Sequence, residues 1–529
     1  MQLNANIFMI TALAFFCAVA FTTYLGHKKT HSLKDFTVGG RNMSGLLIAL
    51  SYGASLVSTS AIVGFGGVAG VYGYSVYWGV FGNMLIGTFV AFYIYGKRVR
   101  VIGERLNAES FPDLLGKRFN SKFLQVLIAS IIYVFIPAYT SIILIGGANF
   151  MASALGLNFN IALIILAVIV FIYVIFGGMI GVIYTDALLA SIMFLSSLLL
   201  LGKMFIALGG INAAHTTLQS ISNLVPENLV ELGHTGWSSM PTAGSPIWWT
   251  VISTLILGIT IGTLAQPQLA VKLMSVKNTS HLYIGIAAAA IFIWILTGGA
   301  EIVGILSNVY FFNTTGDIAI VAAQGNVDMI IPSIITAIMP EWFVYLFMFG
   351  LLSAAMSSSA ALLHLQGVSF AKDIIGVLRR KDNTKGLLNF GTFIGLILAI
   401  ILAFILPSGI IARATVFWFG LCAICWLPTY TGCLFWKGTT RTGAIASVFT
   451  GFVFTIFWYT FVKSSEAVPL GICKLLTGKD VLFSPPWTNI DPLLIGLPLS
   501  GVILIVISLI TQKPSDKNIE KLFHNLSNK

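Results

Sequence analysis

Thirteen runs of about twenty apolar residues, separated by polar stretches, leave this chain few ways to fold. They lie near 7–25, 44–71, 73–96, 123–154, 159–178, 181–208, 247–273, 281–308, 341–371, 386–406, 409–436, 441–462 and 491–511. Each is long enough to cross a bilayer core of about 30 Å as a helix. In hydrocarbon a helix satisfies every backbone N–H and C=O within one segment. The runs therefore predict an all-α integral membrane protein with about 13 transmembrane helices. The composition excludes the alternative. Only 9% of residues are charged and 57% are hydrophobic, whereas a soluble domain carries about 25% charged residues.

The net charge is +11, which in a soluble protein would point to nucleic acid. Here the positive residues alternate with the loops, as orientation in a membrane requires. The loops near 209–246 and 309–340 contain no Lys or Arg. The opposite loops carry Lys28, Lys29, Lys34 and Arg41, then Lys97, Arg98, Arg100, Arg105, Lys117, Arg118 and Lys122. Arg379, Arg380, Lys381 and Lys385 follow, and the tail adds Lys513, Lys517, Lys521 and Lys529. The pattern predicts a multi-pass protein of the cell membrane, with its N-terminus outside and its C-terminus in the cytoplasm. Only the loop near 463–490, with Lys463, Lys474 and Lys479, is mixed.

Ala18-Val19-Ala20 resembles a signal-peptide cleavage site. But Lys28 and Lys29 follow the first run and no Lys or Arg precedes it, so it reads as a retained helix. The five cysteines, Cys17, Cys422, Cys425, Cys433 and Cys473, read as small buried residues. The segment Ala108–Phe119 reads as a short interfacial helix. Nucleotide, metal and nucleic-acid motifs are lacking, and the histidines are scattered. That argues against an enzyme and against nucleic-acid or organic-cofactor partners.

Two spans look broken. The second holds Gly53, Gly64, Gly66, Gly67 and Gly70; the seventh holds Gly258, Gly262 and Pro267. Gly or Pro interrupting spans at matching positions of two halves marks the binding region of many transporters. The two spans are five apart, so spans 2–6 and 7–11 would form two repeats of opposite membrane orientation. In the ninth span Ala354, Ser357 and Ser358 follow i, i+3, i+4 spacing and share a helix face. Their hydroxyls and a spare carbonyl lone pair form an oxygen cluster, the ligand type hard cations prefer. Serines bonding back to their own helix would give the same pattern.

Several segments together resemble the sodium:solute symporter family. They are ALSYGASLVSTS at 49–60, ESFPDLLGKRF at 109–119, FGGMIGVIYTDALLA at 176–190, AQPQLAVKLMSVK at 265–277 and GLLSAAMSSSAALLHLQGVSFAKDI at 350–374. The resemblance implies a LeuT-type five-plus-five inverted repeat with one helix before the core and two after it. Residues 1–42 would form the extra N-terminal helix and its loop, and 43–208 the first repeat. An extracellular loop at 209–246 would precede the second repeat at 247–437. Residues 438–529 would hold the last two helices and the tail.

The resemblance further implies a sodium site formed by the carbonyls of Ala54, Val57 and Ala354 and the hydroxyls of Ser357 and Ser358. Leu56 stands where the family's proline transporter has an aspartate, so ligation there falls to neutral oxygens. Asp186 matches an aspartate that in some members joins a second sodium site with extra serines. Those serine positions are Ala360 and Ala361 here, so one sodium per cycle is expected, with Asp186 lining the ion path. Substrate-binding candidates are Ser58, Tyr139, Thr260, Thr263 and Gln266. Ile259 and Thr263 stand where the proline transporter has aromatic residues.

Glu301 is read as a coupling residue or as half of an internal pair. Lys203 and Arg413 are read as snorkelling to the interface, with Arg413 also a candidate partner for a substrate carboxylate. His364 is read as a packing residue. The expected partners are sodium as coupling ion, a monocarboxylate or amino acid as solute, and the lipid bilayer; a homo-oligomer is compatible with the sequence. A proton-coupled carrier or a transporter-like sensor on the same scaffold are the alternatives.

Overall fold

The computed structural model describes residues 5–379, 385–513, 516–524 and 526. Arg380, Lys381 and Lys529 lie outside the described residues. Among the described residues, twelve helices are long and apolar enough to cross a membrane, and one bent pair makes the thirteenth span. In order, spans 1 to 6 are Met9–Lys29, the pair Gly45–Leu56 and Ser60–Ser75, Trp78–Arg105, Lys122–Leu155, Phe159–Phe176 and Gly178–Ala207. Spans 7 to 13 are Pro246–Met274, Thr279–Thr315, Glu341–Arg379, Gly386–Ile405, Ile411–Phe435, Arg441–Phe461 and Leu493–Ile510. Spans 3, 8 and 9 run several residues beyond the apolar stretches that define them. Nothing in Lys97–Arg105 or Ser369–Arg379 breaks a helix, so the backbone stays helical past the hydrocarbon.

Local sequence sets the span ends. Ser44, Ser121, Asn278 and Thr440 accept hydrogen bonds from backbone N–H groups at the starts of spans 2, 4, 8 and 12. These caps satisfy donors that a helix start leaves unpaired. Spans 5 and 6 meet at Gly178, whose φ of 56° and ψ of −172° no other residue type adopts easily. A side chain there would also strike the Phe36 ring at 2.8 Å.

Span 9 is the axis of the molecule. It is buried along nearly its whole length and packs against spans 2, 4, 6 and 10. Spans 1 and 13 lie outside it. They turn Met9, Ile10, Leu13, Leu509 and Ile510 outward, the surface a bilayer accepts and water does not.

The glycines of span 2 do not break it. The break falls at Val57–Thr59, where the helix bends by 56°. The cause is local hydroxyl competition. The Ser58 Oγ accepts from Ser60 N (3.2 Å), and Thr59 Oγ1 donates to the Ile143 carbonyl (2.7 Å), giving the turn partners outside the helical ladder. Gly64, Gly66, Gly67 and Gly70 instead let span 2 approach spans 8 and 11 and the 327–331 segment. A Cβ on Gly304 of span 8 would lie 1.8 Å from the Gly66 carbonyl oxygen. Such small-residue contacts let membrane helices pack backbone to backbone. Span 7 is interrupted at Ala265–Gln266, with Pro267 opening the following helix. Gly258 and Gly262 admit Val416 and Phe419 of span 11.

The basic residues gather at one end of the bundle, where they close helix ends. Arg41 donates to the Gly103 and Ala108 carbonyls, Arg98 to Leu434, Arg100 to Val276 and Arg118 to Trp436. The helix Phe111–Arg118 packs against the bundle, and Ser110 and Gln125 beside it donate to Asp373 in the extension of span 9. At the other end, the 209–246 segment clamps span 2. Trp237 Nε1 donates to the Gly70 carbonyl (3.0 Å), and His234 pairs with the Val71 carbonyl (2.9 Å). Two of the three lysines of the mixed loop are paired with acids there. Lys463 is buried against Asp491 (2.7 Å), and Lys474 pairs with Asp480 (3.1 Å).

Two predictions follow from this packing. Gly304→Ala lowers unfolding stability by about 1–3 kcal/mol or more, since a rigid carbonyl and not a movable side chain receives the methyl; thermal unfolding in detergent measures it. Asp328 is buried beneath the start of span 11, accepting from the backbone N–H groups of Gly409 and Ile411, and burial pushes its carboxyl up to about 6. The native state thus holds this proton more tightly than the unfolded chain. Its contribution to stability falls as pH rises from about 4 to 6, and Asp328→Asn removes that segment of the Tm-against-pH curve.

Candidate functional site

The break in span 2 releases backbone oxygens in the middle of the bundle. In a continuous helix Ser58 N would donate to the Ala54 carbonyl. Here it donates to Leu56 (3.2 Å), so the Ala54 oxygen leaves the ladder. The Ser358 hydroxyl reaches across from span 9 to the carbonyls of Ala54 and Ser55, at 3.2 Å each. Ser357 beside it is fully buried, and its Oγ has no hydrogen-bond partner among the described residues. Ala354 lies one turn back on the same face and is also buried, as is Val57 at the broken turn. A buried hydroxyl without a partner, next to the serine that bridges to the broken span, is a costly arrangement unless something fills it. Neutral oxygens of this kind suit a hard monovalent cation.

Next to this cluster sits a group the sequence reading passed over. Lys272, in the half of span 7 after the break, is 1% exposed. Its Nζ donates to Asp186 Oδ2 (2.7 Å), to the Ser51 carbonyl and hydroxyl (2.7 Å each) and to the Ser55 hydroxyl. Asp186 also accepts from Ser51 Oγ (2.6 Å), while its Oδ1 has no partner among the described residues. The pair ties span 6 to span 7 through span 2, one turn from Ala54. The signal was present in the sequence: a lysine deep in an apolar span needs a counter-charge, and Asp186 is the other intramembrane charge of opposite sign near the TD pair.

A second space opens on the other side of the break. It amounts to about 430 Å³ between atoms, of which only about 30 Å³ is wide enough for a water. Spans 2, 3, 4, 7, 8 and 11 line it, the last through Thr415 and Phe419. Tyr139 is part of the wall, with its ring edge-on to Phe419 at 5.5 Å. Ser58 stands behind the wall, bonded to the lining residue Ser60 (2.6 Å). Thr260 and Thr263 face span 3 at Gly82 and Gly87, away from the space. Gln266 is locked between Trp418 Nε1 (2.8 Å) and Gln268 Nε2 (3.0 Å). Glu301 of span 8 lines the same space. No spacing rule connects it with Tyr139, which is why sequence alone left it unassigned.

The remaining charged candidates lie elsewhere. Arg413 borders a separate and larger space, about 1010 Å³ between atoms, with Tyr72, Lys463 and Glu466, and donates to the Ser465 carbonyl. Lys203 is exposed. His364 is buried against the Phe36 carbonyl at 2.8 Å.

Two broken spans facing a buried, unbroken one, with freed oxygens at one side and a space among the helices at the other, define a polytopic secondary transporter. The family model of the sodium:solute symporter family matches residues 36–451, and the chain belongs to that family. It is 29% identical to the sodium/proline symporter 2 of Staphylococcus saprophyticus, over 89% of each chain. It is 25% identical to the sodium/pantothenate symporter of Haemophilus influenzae, over 85% of this chain and 89% of that one. It is likewise 25% identical to the osmoregulated proline transporter OpuE of Bacillus subtilis, over 95% and 94%. A solved Na+-coupled sialic acid symporter superposes with a TM-score of 0.70 at 16% identity, covering 96% of this chain and 98% of that one. The likeness establishes the LeuT-type fold. The chain is a sodium-coupled solute symporter and not an enzyme.

Removing one member of the Lys272–Asp186 pair strands the other in a dry interior. Lys272→Met is expected to cost about 3–5 kcal/mol of stability, and Lys272→Met with Asp186→Leu much less. A double-mutant cycle on thermal unfolding checks this; additive losses would mean that the two charges do not act as a pair.

Proposed function

We propose that this symporter imports one amino acid or monocarboxylate with one sodium ion by alternating access, its N-terminus outside and its C-terminus in the cytoplasm. The sodium is held by the carbonyls of Ala54, Val57 and Ala354 and the hydroxyls of Ser357 and Ser358. The observation that carries this is the unpartnered buried hydroxyl of Ser357, next in sequence to Ser358, whose own hydroxyl reaches a carbonyl that the broken helix has released. Sodium bound there ties span 2 to span 9 and favours the state that accepts solute. Coupling is the difference in sodium affinity between the outward and inward states.

One sodium is proposed because Ala360 and Ala361 supply no hydroxyl and the Lys272 ammonium already neutralises Asp186. The free Oδ1 of Asp186 lines the route by which the ion leaves. Relatives named for proline and pantothenate support a small organic solute. We assign the solute to the space bordered by Tyr139, with Ser58 behind it, and give Thr260, Thr263 and Gln266, which lie outside that space, the role of holding span 7 against spans 3 and 11. The basic residues gathered at one end support the orientation, since positive loops remain cytoplasmic.

The test is a thermal-shift titration of the purified protein with sodium against potassium. Sodium raises Tm by mass action, and Ser357→Ala with Ser358→Ala weakens sodium binding tenfold or more. Unchanged sodium affinity in that double variant overturns the site. An equal response to sodium and potassium, with solute binding that follows pH, moves the assignment to proton coupling.

A further inference from the structure

The space beside Tyr139 holds an excess of hydrogen-bond acceptors. Glu301 is 3% exposed, and its Oε2 has no hydrogen-bond partner among the described residues. Asn83 Oδ1, on the same wall, is also buried without a partner. The hydroxyls around them are committed. Thr297 donates to the Ile293 carbonyl (2.7 Å) and Thr415 to the Ile411 carbonyl (2.8 Å). The Tyr139 hydroxyl faces Ser58 and Ser60, which are bonded to each other. Among the described residues lining the space there is no lysine, arginine or histidine. The two cations nearest the core are occupied elsewhere, Lys272 with Asp186 and Lys463 with Asp491.

A carboxylate at this depth is expensive and calls for a cation or a donor. Among the described residues lining the space there is no cation to answer it, so the counter-charge must arrive with the ligand. We infer that the transported solute carries a protonated amine that pairs with Glu301. Tyr139, Phe65 and Phe419 would then enclose its carbon skeleton, and aromatic faces also favour an adjacent cation. Charge balance agrees. With sodium bound and Glu301 ionised, a zwitterionic solute leaves the occluded core neutral, whereas a simple carboxylate leaves it with a net negative charge in low dielectric. The inference rests on the symport reading and narrows it: among the proposed solutes, amino acids are retained and simple monocarboxylates are rejected.

The experiment uses the purified full-length protein in saturating sodium. The probes are L-proline and L-alanine, against propionate, lactate and pantothenate, and against glucose and mannitol. One or more amine-bearing probes raise Tm and the others leave it unchanged. In Glu301→Gln the affinity for that amine falls at least tenfold, while the sodium-over-potassium shift measured without solute persists. That persisting shift reports a folded protein and keeps the symport reading separate from this one. Stabilisation by a carboxylate or sugar with the amines inert overturns the inference, as does undiminished amine affinity in Glu301→Gln. Loss of the sodium shift in that variant also overturns it, by assigning the carboxylate to the ion site. Should Glu301→Gln not fold, the wild-type panel decides alone.

Discussion

The rest of the structure is organised around a backbone that must keep its polar groups satisfied where no water reaches. A carbonyl released inside the bundle has only other protein groups or a ligand to turn to. At Val57–Thr59 the chain leaves the helical ladder, and the Ala54 and Ser55 oxygens are taken up by Ser358 from across the bundle. Span 9 can serve as that partner because it is buried along its length and places alanine and serine against the break. The same face leaves the Ser357 hydroxyl unpaired. The proposed ion site is therefore what remains of a hydrogen-bond deficit between two helices.

The charges follow the same constraint. Asp186 and Lys272 are each untenable alone in this interior. Together with Ser51 and Ser55 they form a neutral, hydrogen-bonded knot joining spans 2, 6 and 7. Lys463 and Asp491 do the same near the opposite end. Glu301 is buried with its Oε2 unpartnered among the described residues, and unlike Asp328 and Asp373 it lines an internal space among the broken spans. A carboxyl so placed points to what the protein receives from outside.

Small residues play a part different from the one their sequence suggests. Gly64 to Gly70 look like helix breakers, yet that stretch stays helical and presses close to its neighbours. The hydroxyl residues of Ser58–Thr59 do the breaking, by offering the backbone alternative bonds. Glycine marks where chains approach; serine and threonine mark where one opens.

Periodicity and length alone determined the thirteen spans, because crossing a bilayer imposes a fixed number of apolar residues. The gathering of basic residues at one end was also legible, since it depends only on which loops alternate. The motif around Ala354, Ser357 and Ser358 was legible because i, i+3 and i+4 share a helix face whatever the fold. Other features required the tertiary structure. Nothing local places Lys272 against Asp186, Gln266 against Trp418 or Glu301 beside Tyr139. These pairs lie tens to hundreds of residues apart and meet only because two repeats pack around span 9. Sequence spacing carries information about one helix at a time, whereas a binding site is made where several helices converge.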